Sequence, residues 1–206
     1  MPVEFIVPLV ALVAVVGACL FATMQVKSIY NQLVVLKNLT SNSFSQISVQ
    51  LKRRHDLIPN LVQCVKMYMG HENETLTAVI AARNTAASNL QNAKKNPTDT
   101  AALAKLAQSE SSLGGALGRL SMVMEAYPEL KADAATAKLT EELTSTENRI
   151  AFARQAFNDL ATDFNIFRQT FPTNLFASMI GFKEDYSMLE FENAEAIQEA
   201  PQIELV

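Results

Sequence analysis

LTEELTSTENRIAFARQAFNDLATDFNIF, residues 139 to 167, decides the fold. Leu139, Leu143, Thr146, Ile150, Ala153, Phe157, Leu160, Phe164 and Phe167 recur at alternating spacings of four and three. That rhythm keeps one stripe of an α-helix facing a partner over four heptads. Nothing breaks it until Phe171-Pro172, where the proline ring cannot continue helical hydrogen bonding. Beside the apolar seam run Glu147, Arg154, Asn158 and Asn165, polar groups placed to bond across a bundle. A helix of this kind needs similar helices to cover it.

The rest of the chain supplies them. Leu103, Leu106, Glu110, Leu113, Leu117, Leu120 and Met124 predict a helix starting from Thr98 as N-cap and ending at Tyr127-Pro128. Leu76, Val79, Ile80, Arg83 and Leu90 predict another, from Glu72 to the turn Lys94-Lys95-Asn96-Pro97. Further upstream, Leu33, Leu36, Thr40, Phe44, Ile47 and Leu51 continue the same pattern, with Pro59 expected to break or kink the helix and Gly70 the next weak point. Six glycines, seven prolines, no tryptophan and abundant Ala, Leu, Gln and Glu are poor material for a sheet. The expectation is an all-α chain in which long helices form an antiparallel four-helix-type bundle.

Residues 5 to 24, FIVPLVALVAVVGACLFATM, carry no charge. At about 1.5 Å per residue, twenty apolar positions cross a hydrocarbon core of about 30 Å. A cleaved signal wants positive charge before the apolar run, and no Lys or Arg precedes Lys27. Val16-Gly17-Ala18-Cys19 loosely resembles a lipobox that would leave Cys19 acylated, but the apolar Leu20, Phe21 and Ala22 behind it favour an uncleaved anchor. No Gly or Pro occurs from Lys27 to Ile58, so the spanning helix is expected to run on as a stalk. Lys27 and Lys37 are the lipid-proximal bases, each worth about 1 kcal/mol against an anionic leaflet, and they place the bulk of the chain in the cytoplasm. Lys52, Arg53 and Arg54 stand roughly 40 Å out, beyond reach of lipid. Three regions result: an anchor at 1–26, a bundle at 27–182 and an acidic tail at 183–206.

In the last region Leu175, Phe176, Met179, Ile180 and Phe182 suggest one short apolar helix, and Glu184 to Val206 holds seven acids and no base. Such a tail makes no core of its own. Phe191, Ile197 and the closing PQIELV either dock on the bundle or on a neighbouring copy, or form a frayed end.

Little chemistry is written in the chain. The net charge of -4 and pI near 5.3 argue against nucleic acid as a partner. Cys19 and Cys64 make neither a disulfide framework nor a metal knuckle. His55-Asp56 and His71-Glu72 are the histidine–carboxylate pairs, and neither has the spacing of a zinc site, so no metal, cofactor or catalytic set is expected. Gly114-Gly115 sits inside a heptad helix, where it suggests close helix approach or a bend rather than a phosphate loop. The polar set Arg53, Arg54, His55, Asp56, Glu147, Arg154 and Asn158 remains, with Arg53 and Arg54 expected to meet Glu147 or Glu110. Buried ion pairs of this sort add little net stability but fix helix register, and the same residues are the candidates for docking a partner.

YNQLV at 30–34 with Lys37-Asn38, SQISVQLKRRHDLIPNLVQCVKMYMGHE at 45–72, LGRLSMVMEAYPELKA at 117–132 and TENRIAFARQAFND at 146–159 resemble the LemA family of bacterial membrane proteins. The resemblance implies a single N-terminal anchor, an antiparallel helical bundle and no established enzymatic activity. Phe44 stands where such proteins often carry Trp, and Met188-Leu189 where an aromatic pair is common. Three functions are open: a self-assembling scaffold or interaction protein of the bacterial inner membrane, an accessory subunit of a membrane protease or transporter docking through LKRRHDLIPNL, and a hydrolase using His55, Asp56, His71 or Glu72. The scaffold is favoured, with the lipid bilayer and further copies of the chain as partners.

Overall fold

The computed structural model describes residues 3–69 and 73–191, and these contain helices and no strand. Helix α1, Val3–Lys66, is 64 residues long and unbroken. Every residue from Leu9 to Gln25 is exposed, and the first buried side chain is Ile29. From Leu9 to Phe21 the apolar opening of α1 therefore buries no face against protein among the described residues, and the run is long enough to cross a membrane.

The expected interruption at Pro59 does not occur. A proline removes the N–H that would bond to the carbonyl four residues back, here His55. Arg83 Nε donates to that His55 oxygen at 2.8 Å, so the helix continues with the bond supplied from another element. Gly70 and the His71-Glu72 pair lie outside the described residues.

From the far end of α1 the chain returns through α2, Asn73–Lys95, turns at Asn96-Pro97, and runs out again through α3, Thr100–Glu125. The N-cap of α3 is Asp99 and not Thr98: its carboxylate accepts from the backbone of Ala101 at 2.9 Å and Ala102 at 3.1 Å. Thr98 bonds instead to Asn96 inside the turn. The short α4, Pro128–Ala132, leads to α5, Ala134–Gln169, whose N-cap Asp133 accepts from Thr136 N at 2.8 Å. α5 packs along α1, and α2 and α3 form a hairpin against them.

Two apolar clusters fill the interior. The one nearer the exposed run joins Leu33, Phe44 and Leu51 of α1 with Leu106 of α3 and Phe157 and Phe164 of α5. The distal one joins Ile58 and Val65 of α1 with Val79 of α2, Leu113 and Leu120 of α3, and Leu130. The inward stripe drifts by one position where a straight helix departs from a seven-residue repeat, so Ala116 and Ala161 are buried while Leu117 and Leu160 are only partly covered. Gly115 does not mediate a close approach, because a Cβ there would meet nothing within 4 Å.

After α5 the chain reverses through α6, Thr173–Phe176, and a further turn ending at Gly181, whose φ of 99° suits glycine. The expected apolar helix is thus a single helical turn followed by irregular turns. Residues 183–191 then run back along α5 as an extended strap, with Tyr186 and Leu189 buried. The remaining tail, including Ile197 and PQIELV, lies outside the described residues.

Candidate functional site

A buried polar layer divides the two apolar clusters, and all four long helices contribute to it. Consecutive residues of a helix point about 100° apart, so Arg54 and His55 on α1 aim toward different neighbours. His55 Nε2 lies 2.8 Å from Glu110 Oε1 of α3. Arg54 sits 3.0 Å from Glu147 of α5 and 3.6 Å from the second oxygen of Glu110. The Glu110 side chain is fully buried and that of Arg54 nearly so, whereas Glu147 is 47% exposed. Arg54 therefore lies between one carboxylate cut off from water and one at the rim. From α2, Arg83 approaches the opposite side of His55, bonding its carbonyl and standing 3.7 Å from Asp56.

The other members of the polar set divide between the surface and the strap. Arg53 is exposed and 3.7 Å from Glu142, not Glu110 or Glu147. Asp56 faces outward and pairs with Lys52 at 2.6 Å, so the sequence neighbours His55 and Asp56 share no hydrogen bond. Asn158 clasps the strap: its Oδ1 accepts from Leu189 N at 2.9 Å and its Nδ2 donates to Leu189 O at 3.2 Å. Asn165 does the same to Tyr186, both bonds at 2.8 Å. Arg154 stacks over the Phe191 ring, 5.0 Å from its centroid. Lys37 lies 5.8 Å from the Phe182 ring centroid, and Lys27 lines a recess with Tyr30 and Ile180.

Sequence reasoning missed the strap as the target of the two asparagines. Their seven-residue spacing on an apolar seam is a usable signal, because a lone extended segment carries free N–H and C=O groups that such amides satisfy in pairs. It also missed Arg83 as a backbone donor. The strap is further fixed where Arg168 Nε bonds Asp185 at 2.6 Å and Gln169 reaches the other oxygen at 3.0 Å. The hydrogen bond from Arg168 holds the Asp185 carboxyl below the usual carboxylate range, and burial pushes the Tyr186 phenol up.

Within the layer Glu110 Oε1 meets His55, while the buried Oε2 makes no hydrogen bond and has only the Arg54 charge at 3.6 Å. A substrate reaching His55 or Glu110 would have to part packed helices, since each is only 2% exposed. Among the described residues no three His, Cys, Asp or Glu side chains gather to hold a metal ion. Away from the layer, Val49 of α1 and Phe152 of α5, 63% and 74% exposed, line one groove with Gln46 and Ala156.

Residues 43–205 match the family model described as LemA family. The chain is similar to Protein LemA of Metamycoplasma hominis, 27% identical over 165 residues that cover 80% of this chain and 69% of the relative. It is also similar to Magnetosome protein MamQ 2 of Paramagnetospirillum magneticum, 26% identical over 190 residues covering 84% of this chain and 65% of the relative. For Magnetosome protein MamQ of Magnetospirillum gryphiswaldense the figures are 24% over 172 residues, 75% and 62%. The chain thus spans slightly under two thirds of the length of these magnetosome relatives. A match reaching from the middle of α1 through α5 and the strap takes in most of the folded bundle, and the chain belongs to the LemA family.

Proposed function

We propose that this chain is a non-enzymatic scaffold that is anchored in the bacterial inner membrane by the first part of α1, holds its bundle in the cytoplasm and self-assembles there. The observation that carries the reading is the contrast between interior and flank. Inside, Arg54, His55, Glu110 and Arg83 are engaged with one another and with the backbone, a pattern that fixes helix register. Outside, Val49 and Phe152 stand exposed in a groove shared by the two longest helices and rimmed by Gln46, Gln50 and Arg149, and large apolar side chains with a polar rim gain by being covered. The alternative of an accessory subunit docking through LKRRHDLIPNL draws less support, because Leu51, Arg54, His55, Ile58 and Leu61 of that block all point inward.

Mass photometry of the full-length protein in detergent tests the proposal. Assemblies larger than the monomer are expected at micromolar concentration, and Phe152→Glu should shift them toward it. A strictly monomeric particle under all conditions overturns self-assembly.

A further inference from the structure

The geometry points to a second membrane contact: the reversal between α5 and the strap, presenting Phe171, Leu175 and Met179, rests in the lipid interface beside the emerging anchor. This inference relies on the proposed anchoring by α1. Phe171, Leu175 and Met179 are 74%, 58% and 80% exposed, three large apolar side chains within nine residues, and Thr170 to Phe182 contains no charged residue.

Position decides what covers them. The strap runs antiparallel to α5, pairing Leu189 with Asn158, Tyr186 with Asn165 and Asp185 with Arg168. Everything between Arg168 and Lys183 is therefore the tip at which the chain turns round. That tip is at the anchor end of the molecule, because Ile180 shares a recess with Ala22, Thr23, Val26 and Lys27 of α1, and Phe182 meets Tyr30 edge to face with centroids 6.0 Å apart. Ala22 and Thr23 belong to the charge-free run, so the tip touches α1 at the height where it leaves the hydrocarbon.

The turn is built to show its apolar groups outward. Thr173 and Ala177 point into the bundle and are buried, while Phe171, Leu175 and Met179 take the other side. Each large apolar side chain left in water forgoes the stabilisation that burial would return. Lys27 lines the recess beside Ile180, and Lys37 and Lys183 line another with Phe182 and Glu184, so the base of the tip carries three cations and one acid, a balance that suits an anionic headgroup layer. Apolar side chains at interface depth, on a charge-free turn that packs beside a spanning helix, fit a lipid surface. With two points of contact, the bundle is fixed in rotation about α1 as well as in height.

The test uses full-length protein with Cys19→Ser and Cys64→Ser, reconstituted in vesicles of phosphatidylcholine and phosphatidylglycerol in equal parts. A polarity-sensitive fluorophore is placed through Leu175→Cys or Met179→Cys, with Ala22→Cys reporting the anchor and Met122→Cys, 64% exposed near the end of α3, the distant flank. All four exposed sites accept a label without disturbing the core. Emission at 175 and 179 should shift to the blue and lose intensity to quenchers carried near the headgroups, as at position 22, while position 122 keeps its intensity. If position 22 is quenched and 175 and 179 behave like 122, the second contact is wrong and the anchor stands. If position 22 also stays in water, the anchoring reading fails and this inference falls with it. A blue shift at 175 and 179 without lipid quenching assigns the patch to protein and overturns the proposal.

Discussion

Arg83 on α2 bonds the His55 carbonyl at 2.8 Å, the oxygen that Pro59 leaves without its helical donor. One side chain thereby keeps α1 intact and ties it to α2. Arg83→Met should destabilise the fold by about 1–3 kcal/mol, the cost of an unmet buried acceptor. In a Pro59→Ala background the backbone N–H returns, and the same replacement should cost about 1 kcal/mol less. A urea-denaturation cycle on the four proteins measures this coupling. Equal costs in both backgrounds would show that the carbonyl does not depend on Arg83.

Glu110 and Glu147 both face Arg54 but from different surroundings. Glu110→Ala removes the buried partner of His55 and leaves Arg54 with Glu147 alone, so a loss of about 2–4 kcal/mol is expected. Glu147→Ala, at the half-exposed rim, should cost about 1 kcal/mol or less. Thermal and urea unfolding of the two variants must rank them in that order for the layer to work as described.

Asn158→Ala and Asn165→Ala each remove both bonds from one strap residue. Hydrogen exchange should lose protection at Leu189 in the first variant and Tyr186 in the second, with helix α5 itself unchanged. Uniform loss across α5 would mean that the asparagines support the helix rather than the strap.

Acid and alkali should release the strap from opposite directions. The Asp185 carboxyl is lowered by its bond from Arg168, so its contribution is complete above the ordinary carboxylate value of about 4 and fades as pH falls through the lowered one. The Tyr186 phenol is raised by burial, so its contribution is complete below about 10 and fades as pH rises through the raised value. Strap protection measured by hydrogen exchange or limited proteolysis should therefore be flat across the neutral range. Release near neutrality would contradict both assignments.

Gly115 and Gly118 lie within α3 with open space where a Cβ would go. Replacing either with Ala should stabilise the protein by about 0.5–1 kcal/mol, since only the unfolded chain loses freedom. A lowered midpoint in urea would reveal a tight neighbour or a required bend.

Features governed by local periodicity were legible in the sequence. The heptads of α3 and α5, the turn at Asn96-Pro97, the stop at Phe171-Pro172 and the apolar run at the start of α1 all follow from residue type and spacing. Features settled by distant residues were not. Pro59 reads as a break unless Arg83, from the next helix, is known to stand against His55. Arg54 was expected to meet Glu110 or Glu147, and it lies within 4 Å of both, but that Glu110 also takes His55 depends on helix rotation that spacing does not specify. Asn158 and Arg154 looked like contacts to a partner helix, and they turn instead to a strap whose own sequence carries no periodic signal. Thr98 lost the cap to Asp99 by one residue, the ordinary uncertainty at a helix end.

An uninterrupted α1 makes the molecule a lever. Its 64 residues extend for about 95 Å, of which roughly 60 Å project beyond Met24. Tilting the embedded part by about 20°, a common angle for a spanning helix, would swing the far end sideways by about 20 Å. Small changes in bilayer thickness thus become large displacements at the α3–α5 end.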